Sequence, residues 1–296
     1  MKVYLAALLY NNFCEGSPPF NRLDETEKDV VRRVQYVLDS YHYIGNKRMV
    51  DRIRGTGRRI FLDSGAFSSF TQGVTVDLNR YCRYIRENED LFEIVSVLDA
   101  IGDHRQTYAN QRAMEGQGVY PLPCFHYGEP LEVLEFYAHH YPYITIGGMV
   151  PISTPQLKVW LDQIWHKVLT HSDGTPKLKV HGFGLTSVPL MARYPWYSVD
   201  SSSWVQLGGM GNIFIPEFGT LAISEHAPQR KEAGKHFDNL PKPHQDVVAE
   251  YIESRGFDID RLHTEHLSRK VFNAMTYGSM SSEETEPFRV SQPVLF

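Results

Sequence analysis

Short β-type runs alternate with longer stretches of helical periodicity along most of the chain. The β-type runs fall at 2–9, 59–63, 93–99, 119–125, 143–147, 178–183 and 197–200. Apolar residues at the spacing of an amphipathic helix fill the segments 27–43, 77–90, 104–116, 130–140, 155–170 and 187–194. This alternation predicts parallel strands with helical crossovers, because parallel neighbours cannot be joined by a tight turn.

Seven such repeats in 296 residues predict an α/β fold, a (β/α)8 barrel of the TIM type. The eighth strand is expected in 211–224, whose pattern is that of a hairpin or an elaborated last strand, and C-terminal helices follow. We expect one domain over 1–296, with the catalytic motifs in 59–204 and the hairpin and C-terminal helices in 205–296. A doubly wound open sheet is the alternative that the same alternation allows.

The three cysteines, Cys14, Cys82 and Cys124, are far apart and form no C-x-x-C pair. This spacing argues against a disulfide framework and against a cysteine-rich zinc site. The apolar run at the N-terminus has the pattern of a first strand rather than of a signal peptide, and no stretch approaches the roughly 18 to 20 apolar residues of a membrane span. We therefore expect a soluble, cytoplasmic protein.

The net charge of −5 does not indicate a nucleic-acid binder by itself. Basic residues nevertheless cluster around a glycine-rich turn in 46–59, and the cluster includes Arg52, Arg54, Arg58 and Arg59. A solvated helix face and loop explains such a cluster. The functional alternative is a set of contacts to nucleic-acid phosphates directly upstream of the strand that ends at Asp63.

In a barrel of parallel strands, the chemistry lies at the carboxyl ends of the strands. The residues predicted there are Asp63-Ser64-Gly65, Asp99, His126-Tyr127-Gly128, Gly147-Gly148-Met149, His181-Gly182-Phe183-Gly184 and Asp200-Ser201-Ser202. Three of these strand ends carry an aspartate. Like charges that share a cleft raise the free energy of the folded state, so their convergence favours a functional site.

Several of these strand ends resemble motifs of the tRNA-guanine transglycosylase superfamily. "FLDSGAFSSF" (61–70) is similar to that family's Asp-Ser-Gly-Gly-Phe segment, and "VLDAIGD", "ITIGGMVP", "HGFG" and "YSVDSSSW" follow in the family's order. The resemblance covers residues 59 to 204. It is closer to the phage and bacterial branch that acts on DNA, which includes enzymes that insert 7-deazaguanine bases, and it implies the cytoplasm of a bacterial or phage-infected cell.

The resemblance implies a role for each matching residue. Asp200 corresponds to the nucleophile that attacks C1′ of the nucleoside, and Asp63 to the aspartate of base recognition and proton transfer. The remaining matches, together with His126 at a position where the family differs, imply a base-binding site that comprises Asp99, His126, Gly147, Gly148, Met149, His181, Gly182, Phe183, Ser64 and Phe67. Tyr127, Phe67, Phe183 and Trp204 lie beside the motifs and are candidates for stacking on the base, although core packing explains such aromatic residues too.

The implied chemistry suits these residue types. Cleavage of an N-glycosidic bond builds positive charge on the sugar, which a carboxylate captures, and a second carboxyl group protonates the leaving base. A base in duplex DNA must also be flipped out to reach such a site. If a free 7-deazaguanine attacks the covalent sugar, bases are exchanged; if water attacks, an abasic site remains. The sequence leaves both open, and we expect exchange.

The chain departs from the tRNA-acting enzymes at three points. Their zinc site of three cysteines and a histidine after the nucleophile is absent, since no cysteine follows Cys124. This absence favours DNA over RNA as the partner, and we expect neither a metal nor a cofactor. His126 stands where those enzymes have a glutamine, and Ala66 replaces a glycine, so a different base is expected. His126 could donate to this base or protonate it in place of Asp63, and a structural histidine with satisfied hydrogen bonds is the alternative.

Two other classes of function remain open from the sequence. A metal-dependent barrel hydrolase would use five ligands, namely Asp63, Asp99, His126, His181 and Asp200, but the usual HxH pattern of the first strand is missing. A binding module would hold a flipped base without cleaving it. The "HTEH" segment (263–266) lacks further ligands and is expected to be surface-exposed. The oligomeric state is not predicted.

Overall fold

The computed structural model describes residues 1–67, 72–185, 187–216, 218–282 and 288. The chain divides into two compact units, one formed by Met1–Ala7, Tyr36–Ser201 and Ser282–Phe296, and the other by Leu8–Gln35 and Ser202–Ser281. The single domain expected over 1–296 stays a prediction. Residues 68–70, the end of the "FLDSGAFSSF" segment, lie outside the described residues.

The first unit is built on a sheet of eight strands. These are β1 (Lys2–Ala6), β2 (Val37–Ser40), β3 (Ile60–Asp63), β4 (Phe92–Val95), β5 (Cys124–His126), β6 (Tyr143–Gly147), β7 (Lys179–Gly182) and β8 (Ser198–Ser201). They pair side by side in the order β4-β3-β2-β1-β8-β7-β6-β5, and every pair is parallel. Ser96 and Leu122, next to the two strands that end this order, form a parallel bridge.

Helices lie between these strands along the chain. They are α3 (Tyr41–Ile44), α4 (Lys47–Thr56), α5 (Leu78–Glu87), α6 (His104–Gly116), α7 (Leu131–His140), α8 (Thr154–Ile164) and α9 (Val188–Arg193), with a 3-10 turn at Glu89–Leu91 and a π turn at Trp165–Leu169. Parallel strands in this order, flanked by helices, confirm the predicted α/β class and are consistent with a TIM-like fold.

Seven strands of the sheet were predicted from the sequence, and the remaining strand is β2. The expectation that this strand lies in 211–224 was wrong. The segment 27–43 was predicted to be one helix, but the helix ends at Arg33 and the chain turns into β2 at Val37. Backbone hydrogen bonds from Leu5 to Tyr36 and from Ala7 to Leu38 hold β2 against β1. The valines of this segment fit both the helical and the strand periodicity. The backbone hydrogen bonds that β2 forms with β1 on one side and β3 on the other make these four residues a strand.

The second unit contains the other elements. They are α1 (Pro18–Asn21), α2 (Glu25–Arg33), α10 (Ser203–Gly209), β9 (Asn212–Ile215), β10 (Gly219–Ala222), α11 (Lys242–Glu253), α12 (Ile259–Thr264) and α13 (His266–Gly278), with 3-10 turns at Pro228–Lys231 and Phe237–Asn239. β9 and β10 form an antiparallel two-stranded sheet, which confirms the predicted hairpin. Trp204 is buried with its ring 5.6 Å from Phe13, so core packing explains it.

A small apolar cluster lies on one face of the main sheet. Tyr4, Ala6, Leu38 and Phe61 are buried together, and the rings of Tyr4 and Phe61 meet edge to face at 5.5 Å. Side chains two residues apart on a strand share a face, so Asp63 lies on the same side of β3 as Phe61. Asp200 is the register partner of Tyr4. The apolar cluster therefore packs next to Asp63 and Asp200 and supports their two carboxylates.

Within the described residues, no helix is both long and apolar enough to cross a membrane.

Candidate functional site

The carboxyl ends of the strands carry the site residues that the sequence predicted. Asp63 ends β3, His126 ends β5, and Asp200 is the third residue of β8. Asp99 lies four residues beyond β4, where the loop has left the sheet. The charges of Asp99 and Asp200 both act on Asp63, so the three aspartates share one electrostatic environment.

Asp200 is held by two donors on a single oxygen. The Nε2 atom of His181 lies 3.2 Å from Oδ1, and the backbone N–H of Gly184 donates to the same oxygen at 2.9 Å. The other ring nitrogen of His181, Nδ1, lies 2.7 Å from Oγ of Ser198, and this hydroxyl lies 2.6 Å from the hydroxyl of Tyr143. A chain of hydrogen bonds therefore fixes the carboxylate while Oδ2 takes neither of these bonds.

His181 is neutral, and its hydrogen bonds select one of the two tautomers of its ring. The ring is fully buried among Tyr4, Phe61 and Phe183, with ring centroids at 5.9, 4.7 and 4.7 Å. Burial lowers the pKa of His181, against the smaller opposing effect of Asp200. Because an ionised carboxylate only accepts, Nε2–H donates to Asp200 and Nδ1 accepts from Ser198. The resemblance implied that His181 belongs to the base-binding site, which stays a prediction; in the structure, Nε2 of its ring faces the candidate nucleophile.

Asp63 is the carboxyl group with the most perturbed proton affinity at this edge. Burial raises the pKa of Asp63 to about 7, and the negative charges of Asp99 and, more weakly, Asp200 act in the same direction. Its Oδ2 accepts the N–H of Gly65 at 2.9 Å, which opposes the rise. A carboxyl group with this pKa exists in both protonation states near neutral pH, as a proton-transfer group requires.

Ser64 joins the β3 end to the β4 end. Its backbone N–H donates to Oγ of Ser96 at 2.9 Å, and its hydroxyl donates to Oδ1 of Asp99 at 3.0 Å. The same hydroxyl accepts the N–H of Ala66 at 3.2 Å. Oδ2 of Asp99 lies 2.9 Å from Nε2 of His126. Among the described residues, each oxygen of Asp99 has one hydrogen-bond partner, which leaves each with a second lone pair.

His126 lies between two carboxylates. Nε2 faces Asp99, and Nδ1 lies 3.0 Å from Oε1 of Glu129, whose Oε2 accepts the backbone N–H of His126 at 3.1 Å. The sulfur of Cys124 lies 3.5 Å from Nε2. Burial by itself lowers the pKa of His126, but the charge of Cys124 and the hydrogen bonds with Asp99, Cys124 and Glu129 outweigh it and raise that pKa.

Gly147 is required by the packing of its neighbours. A Cβ at this position would lie 3.0 Å from the sulfur of Cys124 and 3.1 Å from Cδ2 of His126. Gly148 adopts φ of +69°, and a Cβ there would lie 3.1 Å from the backbone nitrogen of Tyr127. The two glycines therefore let β6 approach the side chains at the end of β5.

The other predicted base-binding residues lie at the ends of β6 and β7. Met149 is buried, and Gly182 packs against the ring of Trp196, to which a Cβ would come within 3.1 Å. Phe183 is partly buried on the apolar cluster and touches His181. Their arrangement is compatible with a wall of the site, and their contact with a base stays a prediction.

Large exposed apolar side chains follow four successive strand ends. Phe67 follows β3, Ile101 follows β4, Tyr127 follows β5 and Val150 follows β6, and we call these four residues the apolar rim. Phe67 has the largest exposed fraction, 54%. Exposed apolar side chains beside converging carboxylates are typical of a site for a partly apolar ligand.

The arginine cluster is not brought to the carboxylates. Arg58 and Arg59 directly precede β3, whereas Asp63 is its last residue. The guanidinium of Arg59 donates to the carbonyl of Phe92, the first residue of β4. Arg54 pairs with Asp90 at the surface through two hydrogen bonds of 3.2 Å. Arg58 and Arg59 therefore occupy the amino end of their strand, opposite to the site.

No protein-family model and no curated protein matches the chain. The assignment of a function therefore depends on the motifs and on the geometry of the site.

Sequence reasoning missed four partners of the predicted residues, namely Ser96, Cys124, Glu129 and Ser198. Two of them left a signal. Cys124 and His126 are two apart on one strand and therefore share a face. Glu129 follows His126 in the "HYGE" turn, where a carboxylate can reach back to the ring. Of the five predicted ligands of a metal hydrolase, four form two pairs, Asp99 with His126 and Asp200 with His181, and the fifth, Asp63, accepts the backbone N–H of Gly65.

Proposed function

We propose that the protein cleaves the N-glycosidic bond of a base in DNA with Asp200 as the nucleophile, and exchanges that base for a 7-deazaguanine derivative. The observation that carries the proposal is the pair of hydrogen bonds that Oδ1 of Asp200 accepts from His181 and Gly184. Both donors fix the carboxylate in one orientation and leave Oδ2 for attack on C1′. A preoriented nucleophile lowers the entropic cost of that attack.

Asp63 is the proton donor of this proposal. Its pKa of about 7 allows it to arrive protonated beside Asp200. As Oδ2 of Asp200 forms a bond to C1′, the bond from C1′ to the base nitrogen breaks and its electron pair takes the Asp63 proton. In the return step, Asp63 removes the proton of the incoming base, the base nitrogen bonds to C1′, and the ester bond to Asp200 breaks.

The barrel and the base-binding role of its strand ends are part of the same proposal. The parallel bridge between Ser96 and Leu122 supports closure of the sheet between β4 and β5. Gly147, Gly148 and Met149 would lie along one side of the base, and Gly182 and Phe183 along another. Asp99 would accept from the base edge with the lone pairs that Ser64 and His126 do not use.

DNA is the proposed partner because a flipped base needs apolar stacking surface at the mouth of the site. The apolar rim offers such surface on four loops, and base–aromatic stacking contributes about 1–3 kcal/mol per base. Contacts of Arg52, Arg54, Arg58 and Arg59 with phosphates would require DNA to extend along the flank that carries α4 and the amino end of β3. Activity would take place in the cytoplasm of a bacterial or phage-infected cell.

The experiment that tests the proposal incubates the full chain with unmodified DNA and with DNA that carries modified bases. Each substrate is offered with and without 7-deazaguanine precursors, and the products are resolved by nucleoside mass spectrometry and alkaline strand cleavage. Incorporated deazaguanine supports exchange. Alkali-sensitive sites without incorporation replace exchange by a DNA glycosylase that uses water. Absence of both products on every DNA overturns the proposal.

A further inference from the structure

Asp99, Cys124 and His126 bring three different donor atoms to one place. One oxygen of Asp99, the sulfur of Cys124 and one ring nitrogen of His126 all lie within 4.8 Å of one another, and no other such group of His, Cys, Asp and Glu occurs within the described residues. Cys124 and His126 are buried, and the side chain of Asp99 is 18% exposed. The cluster is therefore closed on the protein side and accessible beside Asp99.

Two of the three donor separations can be compared with those around a tetrahedral zinc ion. Bonds of about 2.3 Å to sulfur and about 2.0 Å to nitrogen or oxygen place a sulfur about 3.5 Å from a nitrogen, and a nitrogen about 3.3 Å from an oxygen. The observed separation of the Cys124 sulfur and Nε2 of His126 is 3.5 Å. Nε2 and Oδ2 of Asp99 are 2.9 Å apart, so Asp99 must withdraw by a few tenths of an ångström.

Glu129 provides a hydrogen-bond acceptor for the ring nitrogen of His126 that faces away from the proposed metal. A ligating histidine usually donates its second N–H to a carboxylate, which fixes the tautomer and the orientation of the ring. Nδ1 of His126 lies 3.0 Å from Oε1 of Glu129, and Oε2 accepts the backbone N–H of His126. The ring is thereby oriented with Nε2 towards Asp99 and Cys124.

The glycine at position 147 makes room for two of the ligands. A Cβ there would press on the Cys124 sulfur at 3.0 Å and on the His126 ring at 3.1 Å. A thiolate and an imidazole together select zinc over magnesium and calcium, which prefer oxygen ligands.

We propose that Asp99, Cys124 and His126 form a three-ligand zinc site whose fourth position is open to water or to a heteroatom of a bound ligand. The ligands differ from those of the metal hydrolase considered from the sequence, because Cys124 enters and His181 and Asp200 are paired with each other. The site also differs from the cysteine-rich zinc site of the tRNA-acting enzymes, which follows the nucleophile. The site shares Asp99 and His126 with the proposed base-binding site, but zinc binding can be tested whether or not the protein cleaves a glycosidic bond.

The test measures metal binding by the full chain after treatment with a chelator. Zn²⁺ is titrated in competition with a chromophoric chelator, and Co²⁺ is added separately to detect the charge-transfer absorption of a thiolate ligand. We expect one equivalent of tightly bound zinc and a thiolate band with Co²⁺. Cys124→Ser should abolish the band, and Glu129→Gln should weaken zinc binding by about 10- to 100-fold.

Cys82→Ser is the matched control, because Cys82 is also buried in the first unit but lies on α5. It should bind zinc like the parent. If Cys124→Ser does not fold, zinc protection against alkylation is read in the parent by peptide mapping at a denaturant concentration at which all three buried cysteines react without zinc, with Cys14 and Cys82 as internal references. Protection confined to Cys124 supports the site. Binding of well under one equivalent, a thiolate band that persists in Cys124→Ser, or unprotected Cys124 overturns it.

Discussion

Nε2 of His181 lies 3.2 Å from Oδ1 of Asp200, and the imidazole is buried and neutral. The pair is a hydrogen bond from a fixed N–H to a carboxylate rather than an ion pair between two charges. Ser198 sets the tautomer that makes this donation possible. In the proposed reaction, His181 orients the nucleophile and does not touch the substrate.

His181→Phe should therefore lower kcat by about 10- to 100-fold and leave KM within about twofold, because misplacement of a reacting group by about 1 Å has a cost of this order. Phenylalanine keeps the aromatic packing and removes both ring nitrogens. His181→Gln retains an N–H donor and should recover part of kcat. A change in KM alone would assign His181 to ligand binding. Thermal unfolding of both variants monitors the fold.

The raised pKa of Asp63 predicts how stability depends on pH. The pKa is about 7 in the folded chain and 3.8 for an ordinary carboxyl group, so the folded chain retains a proton that the unfolded chain has lost between these values. The stability that this proton provides is complete below pH 3.8 and is lost as the pH rises to 7. At pH 8, Asp63→Asn should be more stable than the parent by at most about 4 kcal/mol. Urea unfolding at pH 5 and pH 8 measures the difference, and an equal effect of the substitution at both pH values would contradict it.

The same group predicts the pH profile of the proposed reaction. Because Asp63 must arrive protonated, kcat/KM should fall as the pH rises above about 7. Asp63→Asn should lower the rate and remove this limb of the profile. A parent enzyme whose rate continues to increase above pH 8 would show that another group protonates the leaving base.

Gly65 adopts φ of +79°, and a Cβ there would lie 2.5 Å from Oγ of Ser40 and 2.9 Å from the backbone nitrogen of His42. Gly65→Ala should destabilise the fold by more than about 2 kcal/mol, since a left-handed residue alone costs about 1–2 kcal/mol and overlap adds to it. Gly57→Ala is the control, because Gly57 has φ of +66° and no atom within 4 Å. Equal losses of unfolding free energy for the two variants would exclude the overlap.

Phe67→Ala should weaken the binding of a DNA that presents an unpaired base by about 5- to 100-fold, the loss of one stacking contact. Thermal unfolding of Phe67→Ala monitors the fold, so that a loss of binding can be separated from a loss of structure. Tyr120→Ala is the matched control, since Tyr120 is 81% exposed but precedes β5. Equilibrium binding measures the effect, and equal losses for the two variants would mean that the rim does not contact the base.

The strand ends could be predicted from the sequence because each β-type run stops at a polar or glycine-rich turn. Asp63, His126 and Asp200 all lie where that pattern places them. β2 was missed, because its four residues follow a helix whose valines extend into it with compatible spacing, and only pairing with β1 and β3 distinguishes the two states.

The hydrogen-bond partners within the site depend on how neighbouring strands pair, which no local sequence pattern encodes. Ser198 reaches His181 because β7 and β8 pair in that register, and Ser64 reaches Asp99 across the β3 and β4 ends. The arginine cluster is adjacent to Asp63 in sequence, yet four residues of β3 carry the chain to the opposite end of the strand. Proximity along the chain therefore does not place Arg58 and Arg59 beside Asp63, and their contact with nucleic-acid phosphates stays a prediction.

The most direct measurement looks for a covalent bond between DNA and Asp200. The parent and Asp200→Asn are each incubated, without an added free base, with a DNA that has been shown to yield product. The samples are then quenched in acid, digested with protease and nuclease, and analysed by peptide mass spectrometry. We predict a sugar adduct on the peptide that carries Asp200, and in Asp200→Asn we predict no adduct, with product formation reduced by about 10³-fold or more. An adduct on another residue, or product formation by Asp200→Asn at the parental rate, would contradict the assignment of Asp200 as the nucleophile.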